Sequence, residues 1–213
     1  MEKSVKVMKV LLEKYKTHRK PTVRRSSNDS PFRVLISCLL SLRTQDKNTE
    51  KASGMLFEVA DTPEKILKLR QDRLEKLIFS SGHYIKKARV LKSVSKDLID
   101  RFDGKVPKTR EELLSIKGVG PKTANIVLCF AYGQTVIPVD THVHRIPNRL
   151  GLIKTKNPEE SEVDLMRVFP KKYWKEINTT FILFGKEICL PVSPKCSECM
   201  FKACPRVGVL KSR

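Results

Sequence analysis

The sequence predicts an all-α fold, and three observations carry that prediction. Apolar residues recur at helical spacing along most of the chain, and no alternation of period two lasts long enough to make a strand. Neither a repeat of solenoid length nor a Gly/Ser-rich linker interrupts the 213 residues. At about 150 residues per domain, this length fits one large domain or two small lobes. It is also enough chain to bury a core without disulfides or metal as staples.

The elements follow in order. Residues 2–18 place Val5, Met8, Leu12 and Tyr15 on one helical face. Arg24 to Ser30 is a polar connector. Ser30-Pro31 supplies an N-cap and a proline at the first helical position, opening a helix through Leu40. Thr62-Pro63-Glu64 repeats that device. A long helix over 84–102 is supported by Ile85, Ala88, Leu91, Leu98 and Phe102. Thr109-Arg110-Glu111-Glu112 matches a capping box and starts a short helix ending at Ser115. Asn157-Pro158 opens another, closed near Pro170, and Tyr173 to Ile188 is the last. The Cys- and Pro-rich segment beyond Ile188 needs something other than a core to hold it.

Charge narrows the function classes. Lys and Arg number 43 against 23 Asp and Glu, a net charge of +20, which points to a polyanionic partner rather than a neutral metabolite. The longest apolar run, Val34 to Leu40, is far short of the roughly 20 residues that span a bilayer. The first residues carry no signal-peptide pattern. No helix pairs an aromatic-rich apolar face with a basic one, so nucleic acid is favoured over a membrane surface. A cytoplasmic, nucleoid-associated protein is expected.

Three local patterns carry chemistry. The first is Ile116-Lys117-Gly118-Val119-Gly120-Pro121-Lys122-Thr123-Ala124, between two predicted helices. Two glycines two apart permit a tight hairpin whose amides, with the next helix N-terminus, can hold a phosphate oxygen. A plain helix-to-helix turn fits that spacing equally well. The second is Val139-Asp140-Thr141-His142-Val143-His144-Arg145. Asp140 reads as the N-cap of a helix from Thr141, a role compatible with catalysis. His142 and His144 are two apart and point to different faces, which argues against a shared metal. The third is Cys189-x6-Cys196-x2-Cys199-x4-Cys204, four thiols within sixteen residues. One C-x2-C pair beside isolated cysteines suits an iron–sulfur cube, with structural zinc as the alternative. Cys38 and Cys129 stand alone in apolar runs and read as buried core thiols.

In this order, these patterns resemble the endonuclease III family of helix–hairpin–helix DNA glycosylases, over nearly the whole chain. The resemblance implies two helical lobes. A helical barrel covers 22–135, with its helix–hairpin–helix near 109–131, and a cluster lobe joins 1–21 to 136–213. It implies that Lys122 and Asp140 face each other across a DNA-binding groove between the lobes. It makes Lys122 the catalytic lysine and so argues for the bifunctional branch, because relatives without lysine there only remove the base. It makes Asp140 the catalytic aspartate, and Cys189, Cys196, Cys199 and Cys204 the ligands of a [4Fe–4S] cluster. Gly118, Val119 and Gly120 fall on the phosphate-binding hairpin, Arg43 and His83 on gap-filling positions, Asp46 on a polar pocket position, and Lys195 on a loop that meets a phosphate. Here Ile116-Lys117 replaces the family's usual Leu-Pro, and the last cysteine gap is four residues instead of five.

The implied activity is a DNA glycosylase and abasic-site lyase of base excision repair that removes oxidised pyrimidines and nicks 3′ to the lesion through a lysine imine. The implied partner is double-stranded DNA with a damaged or abasic nucleotide, bound by a monomer. The competing expectations are the same fold acting on mismatched thymine, uracil or an oxidised purine, and a non-catalytic DNA-binding protein with structural zinc.

Overall fold

The computed structural model describes residues 2–25 and 30–213. Every regular element among them is helical. In chain order these are α1 Glu2–Tyr15, α2 Thr22–Arg25, α3 Pro31–Ser41, α4 Asp46–Val59, α5 Pro63–Lys68, α6 Gln71–Leu77 and α7 Tyr84–Phe102. Then come α8 Arg110–Leu114, α9 Pro121–Ile126 running on as a wider turn over Val127–Ala131, α10 Thr141–Arg149, α11 Pro158–Val168, a 3-10 turn Lys171–Tyr173 and α12 Trp174–Glu187.

The caps read from the sequence form as expected. Ser30 accepts from the Arg33 amide, Thr62 from Lys65, Thr109 from Glu112 and Asn157 from Glu160. Each satisfies a donor that the first helical turn would otherwise leave open.

Some details differ from the sequence reading. Helix α1 stops at Tyr15, and its buried line is Ser4, Val7, Met8, Leu11 and Tyr15, with Val5 and Leu12 on the flank. Ile85 on α7 is 44% exposed, and the buried line there runs Lys87, Ala88, Leu91, Val94, Ser95, Leu98. In both cases the apolar stripe is wide enough for two registers, and packing selects one of them. The connector expected from Arg24 to Ser30 begins later, because Arg24 and Arg25 close α2. Residues 26–29 of that connector lie outside the described residues.

The chain divides into two compact units, Pro21–Gln134 and Met1–Lys20 with Thr135–Arg213. In the first, α3 packs against α4, α7 and α9, and α5 lies along α7. Leu35, Ile36, Leu39 and Leu40 of α3 are essentially fully buried, and so is Cys38. Cys129 is also buried, at 2% exposure. In the second unit, α12 packs against α1 and α10. Its core joins Met8 and Leu11 of α1, Val143 and Ile146 of α10, and Ile177, Phe181 and Phe184 of α12. Phe169 and Phe181 meet edge to face, with centroids 6.2 Å apart.

Phe181 is fully buried, so Phe181→Ala is expected to cost about 3–5 kcal/mol in urea unfolding. A loss below about 1 kcal/mol would show that this core does not hold its unit together.

Candidate active site and cysteine cluster

The hairpin between α8 and α9 is fastened to its own unit at several points. Ile116 and Val119 are buried at 1% and 5% exposure. The Val119 amide donates to the Ile116 carbonyl at 3.0 Å, closing the turn. Arg110 of α8 donates to the Asn125 side-chain oxygen of α9 at 2.6 Å, and Arg101 of α7 donates to Ser115 Oγ at 2.7 Å. Gly118 has φ +98, and a Cβ there would come within 2.9 Å of Val90 Cγ1. Backbone conformation and packing therefore both demand glycine at 118.

Gly120 is different. Its backbone is extended, at φ −97 and ψ 175, and a Cβ built on it meets nothing within 4 Å. No packing contact excludes a side chain there; glycine is among the residues favoured at a helix N-cap, and here it leaves the space beside the backbone open. The amides of Gly118 and Gly120 carry no hydrogen bond among the described residues, whereas that of Val119 is engaged in the turn. Val119 therefore serves the hairpin as an apolar anchor, and its amide is not available to a phosphate.

Lys122 follows in the first turn of α9, half-buried. Its neighbour Thr123 is buried and lies 3.6 Å from Cys38 Sγ of α3, fixing that edge of the helix. Burial pushes the Cys38 thiol up, while the Lys122 charge pulls it down.

Asp140 caps α10 in the other unit. Its Oδ1 accepts from the His142 and Val143 amides, each at 2.9 Å, and Oδ2 has no hydrogen bond among the described residues. The chain leading into it is held by Asn178 of α12, which donates to the Pro138 carbonyl at 2.9 Å. Gly185 of α12 lies under α10, where a Cβ would collide with the His142 ring and crowd Ile146 and Arg145. Sequence reading missed both supports, since an asparagine and a glycine within a helix carry no local signal of a distant partner. His142 and His144 part company as expected: His142 Nδ1 lies 3.2 Å from Arg145, and His144 Nδ1 lies 2.6 Å from Ser161.

The other sequence candidates fall in several places. Arg43 and His83 are exposed, and both sit in the left-handed region, at φ 51 and 57. Their turns touch, because a Cβ on Gly82 would lie 2.9 Å from the Arg43 carbonyl oxygen. Asp46 is tied down inside its unit, with Oδ1 accepting from the Thr22 amide at 3.0 Å. Lys195 pairs with Glu198 at 3.5 Å.

All four cysteines Cys189, Cys196, Cys199 and Cys204 line one cavity, of about 420 Å³ including the solvent at its mouth. Phe184, Ile188, Phe201 and Pro194 also line it. Burial pushes the Cys199 thiol up, the Phe201 amide works against it, and the three neighbouring cysteines add to the rise. N–H groups already point at three of them. Arg149 lies 3.6 Å from Cys189 Sγ, the Phe201 amide 3.5 Å from Cys199 Sγ and the Arg206 amide 3.4 Å from Cys204 Sγ. Arg149 also donates to the Leu190 and Pro191 carbonyls, and Arg145 to the Cys189 carbonyl at 2.9 Å, so α10 clamps the start of this segment. Among the described residues, no three His, Cys, Asp or Glu side chains converge as the ligands of a single ion would. None of the helices among the described residues is long and apolar enough to cross a membrane.

Comparison with known proteins agrees with this geometry. Residues 36–171 match the HhH-GPD superfamily of base excision DNA repair proteins. The chain is 48% identical to endonuclease III of Thermotoga maritima over 179 residues, covering 84% of each protein. Its structure is similar to that of an endonuclease III trapped as a covalent intermediate on DNA, with TM-score 0.85, 32% identity and coverage of 97% of this chain and 96% of that one. A thermostable thymine-DNA glycosylase is also similar, with TM-score 0.82 and 27% identity over 96% of this chain and 97% of that one. With the hairpin, the capped aspartate and the four-cysteine segment all present, the chain belongs to the endonuclease III family of HhH-GPD DNA glycosylases.

Proposed function

We propose that this chain removes oxidised pyrimidines from duplex DNA and then nicks the strand 3′ to the lesion, with Lys122 as nucleophile and Asp140 as its electrostatic partner. The observation that carries this reading is a half-buried lysine directly after the glycine hairpin, in a chain 48% identical to an endonuclease III. Lys87, the buried lysine of that unit, cannot serve, since its Nζ is held by four oxygens and the residue is 8% exposed, and the half-buried Lys92 donates its Nζ to the Leu67 and Leu69 carbonyls.

A base inside a duplex is out of reach, so the damaged nucleotide is extruded, at a cost of a few kcal/mol that a poorly pairing lesion reduces. The +20 charge supplies phosphate contacts that offset it, and the open amides of Gly118 and Gly120 grip one phosphate on the strand. The neutral amine of Lys122 attacks C1′, a C–N bond forms, and the N-glycosidic bond breaks with its electron pair leaving on the base. The Asp140 carboxylate stabilises the positive charge that develops on the sugar. Its Oδ1 is anchored on two amides of α10, which leaves Oδ2 without a hydrogen bond among the described residues. Proton loss from the amine and cleavage of the C1′–O4′ bond, whose electron pair stays on O4′ and takes up a proton, open the sugar ring and give an imine. Removal of a C2′ proton then expels the 3′ phosphate by β-elimination, and water releases the enzyme.

A [4Fe–4S] cluster fits the cysteine cavity better than zinc. Zinc needs its four sulfurs within about 2.3 Å of one point, and the described side chains do not converge in that way. Cys189, Cys196, Cys199 and Cys204 would hold the cluster, with the Arg149, Phe201 and Arg206 N–H groups stabilising thiolate charge. When bound, the cluster cross-links a segment that has no core of its own. Lys195, the one basic residue of the 190–195 loop, is then held where it can exchange Glu198 for a DNA phosphate.

Borohydride added during turnover of a thymine-glycol duplex should trap a protein–DNA adduct, and Lys122→Gln should abolish it. No adduct with any oxidised or abasic duplex would end the lyase reading, and preferential cleavage of a G·T or oxidised-purine duplex would redirect the substrate. Asp140→Asn should slow base release by at least tenfold while duplex affinity changes less than threefold. Gly120→Ala should leave stability within about 0.5 kcal/mol of the parent yet weaken duplex binding about tenfold, about 1.4 kcal/mol at 25 °C. Gly118→Ala should instead lower stability. The purified protein should be yellow-brown and contain iron and acid-labile sulfide in equal amounts, and Cys199→Ser should lose both; a colourless, zinc-loaded protein would refute the cluster.

A further inference from the structure

Lys87 is a buried ammonium in an unfavourable place. It sits in the first turn of α7, at the positive end of a 19-residue helix, and is 8% exposed. No carboxylate pairs with it among the described residues. Burial lowers its pKa to about 8. What it has instead is four oxygens: the Leu40 and Leu42 carbonyls at 2.6 Å, and Thr44 Oγ1 and Ser81 Oγ at 2.8 Å. An ammonium has three protons, so one is shared.

These acceptors belong to two turns. Leu40, Leu42 and Thr44 span the end of α3 and the bend before α4, which contains Arg43. Ser81 belongs to the bend before α7, which contains Gly82 and His83. The same atoms knit the bends to each other. Ser81 donates to the Leu40 carbonyl at 2.9 Å, and the Gly82 amide donates to Thr44 Oγ1 at 3.0 Å. Between the two bends, Gly82 leaves no room for a Cβ against the Arg43 carbonyl. Arg43 and His83 are thus both exposed, both left-handed, and carried on bends that share one buried cation. Left-handed backbone at non-glycine residues persists only where the surroundings over-determine it.

We propose that Lys87 is a positioning residue that locks the Arg43 and His83 bends into one rigid wedge, and that the wedge drives extrusion of the damaged nucleotide. This rests on the reading that Arg43 and His83 enter the gap the flipped nucleotide leaves. Lys87 touches neither substrate nor reacting atoms and acts through the two turns alone. Its loss slows the step that opens a duplex, whereas an abasic site in single-stranded DNA needs no opening and reaches Lys122 without a wedge.

The readout is the ratio of duplex thymine-glycol excision to nicking of an abasic site in single-stranded DNA, measured on the full iron-loaded protein. A 2-aminopurine beside the lesion reports extrusion directly. Lys87→Met should lower the ratio at least tenfold and slow the 2-aminopurine rise in parallel. Thr44→Val and Ser81→Ala each remove one acceptor while keeping the cation, and should lower the ratio about threefold; they carry the test if Lys87→Met does not fold. Equal losses on both substrates, or an unchanged ratio in the Thr44 and Ser81 variants, would overturn the proposal. Arg43→Ala with His83→Ala separates it from its premise. If that double variant lowers the ratio and the Lys87, Thr44 and Ser81 variants do not, the lock is refuted and the wedge stands. If the double variant leaves the ratio unchanged, the wedge reading itself fails.

Discussion

Burial of Ile116 and Val119 is the constraint on which the catalytic reading depends. Two apolar side chains five or fewer per cent exposed pin a short loop to the core of its unit. Gly118 lets the chain reverse between them at a backbone angle that other residues resist. The Arg110–Asn125 bond then ties the two flanking helices together. With both ends fixed, the first turn of α9 has one place to be, and Lys122 is carried to it. A nucleophile must sit within a few tenths of an ångström of its working position to gain from proximity. Lysine is long and flexible, so its base has to be rigid.

A second rigid frame surrounds Asp140, and helix α10 does two jobs in it. Its N-terminus binds the Asp140 carboxylate through two amides, and its C-terminal half sends Arg145 and Arg149 to the carbonyls at the start of the cysteine segment. The aspartate and the cysteine segment are therefore joined by one short helix. Gly185 sets how closely α12 can back that helix.

Much of this was legible in the sequence, for identifiable reasons. The caps at Ser30, Thr62, Thr109 and Asn157 were readable because a cap is a local event between residues three apart. The glycine hairpin, the Asp140 cap and the cysteine spacing were readable for the same reason. The buried faces of α1 and α7 were not, because Val5 and Ile85 lie at helical spacing with true core residues and only the neighbours decide between registers. The wide turn over Val127–Ala131 has no sequence signature at all. Nor did the sequence distinguish the two glycines of the hairpin: Gly118 is needed by its packing and backbone angle, while Gly120 has open space beside it. Lys87, Asn178 and Gly185 work through partners far along the chain, and Lys87 in particular reads as one more surface charge in a basic sequence.

The central claim is that one nitrogen, Lys122 Nζ, forms the bond to the sugar. Its most direct test is to reduce the protein–DNA adduct, digest both components, and locate the attached deoxyribose remnant by mass spectrometry of the peptides. The remnant is predicted on Lys122 alone. Attachment at Lys117, at Lys87 or at the amino terminus would contradict the account, however well the enzyme turned over.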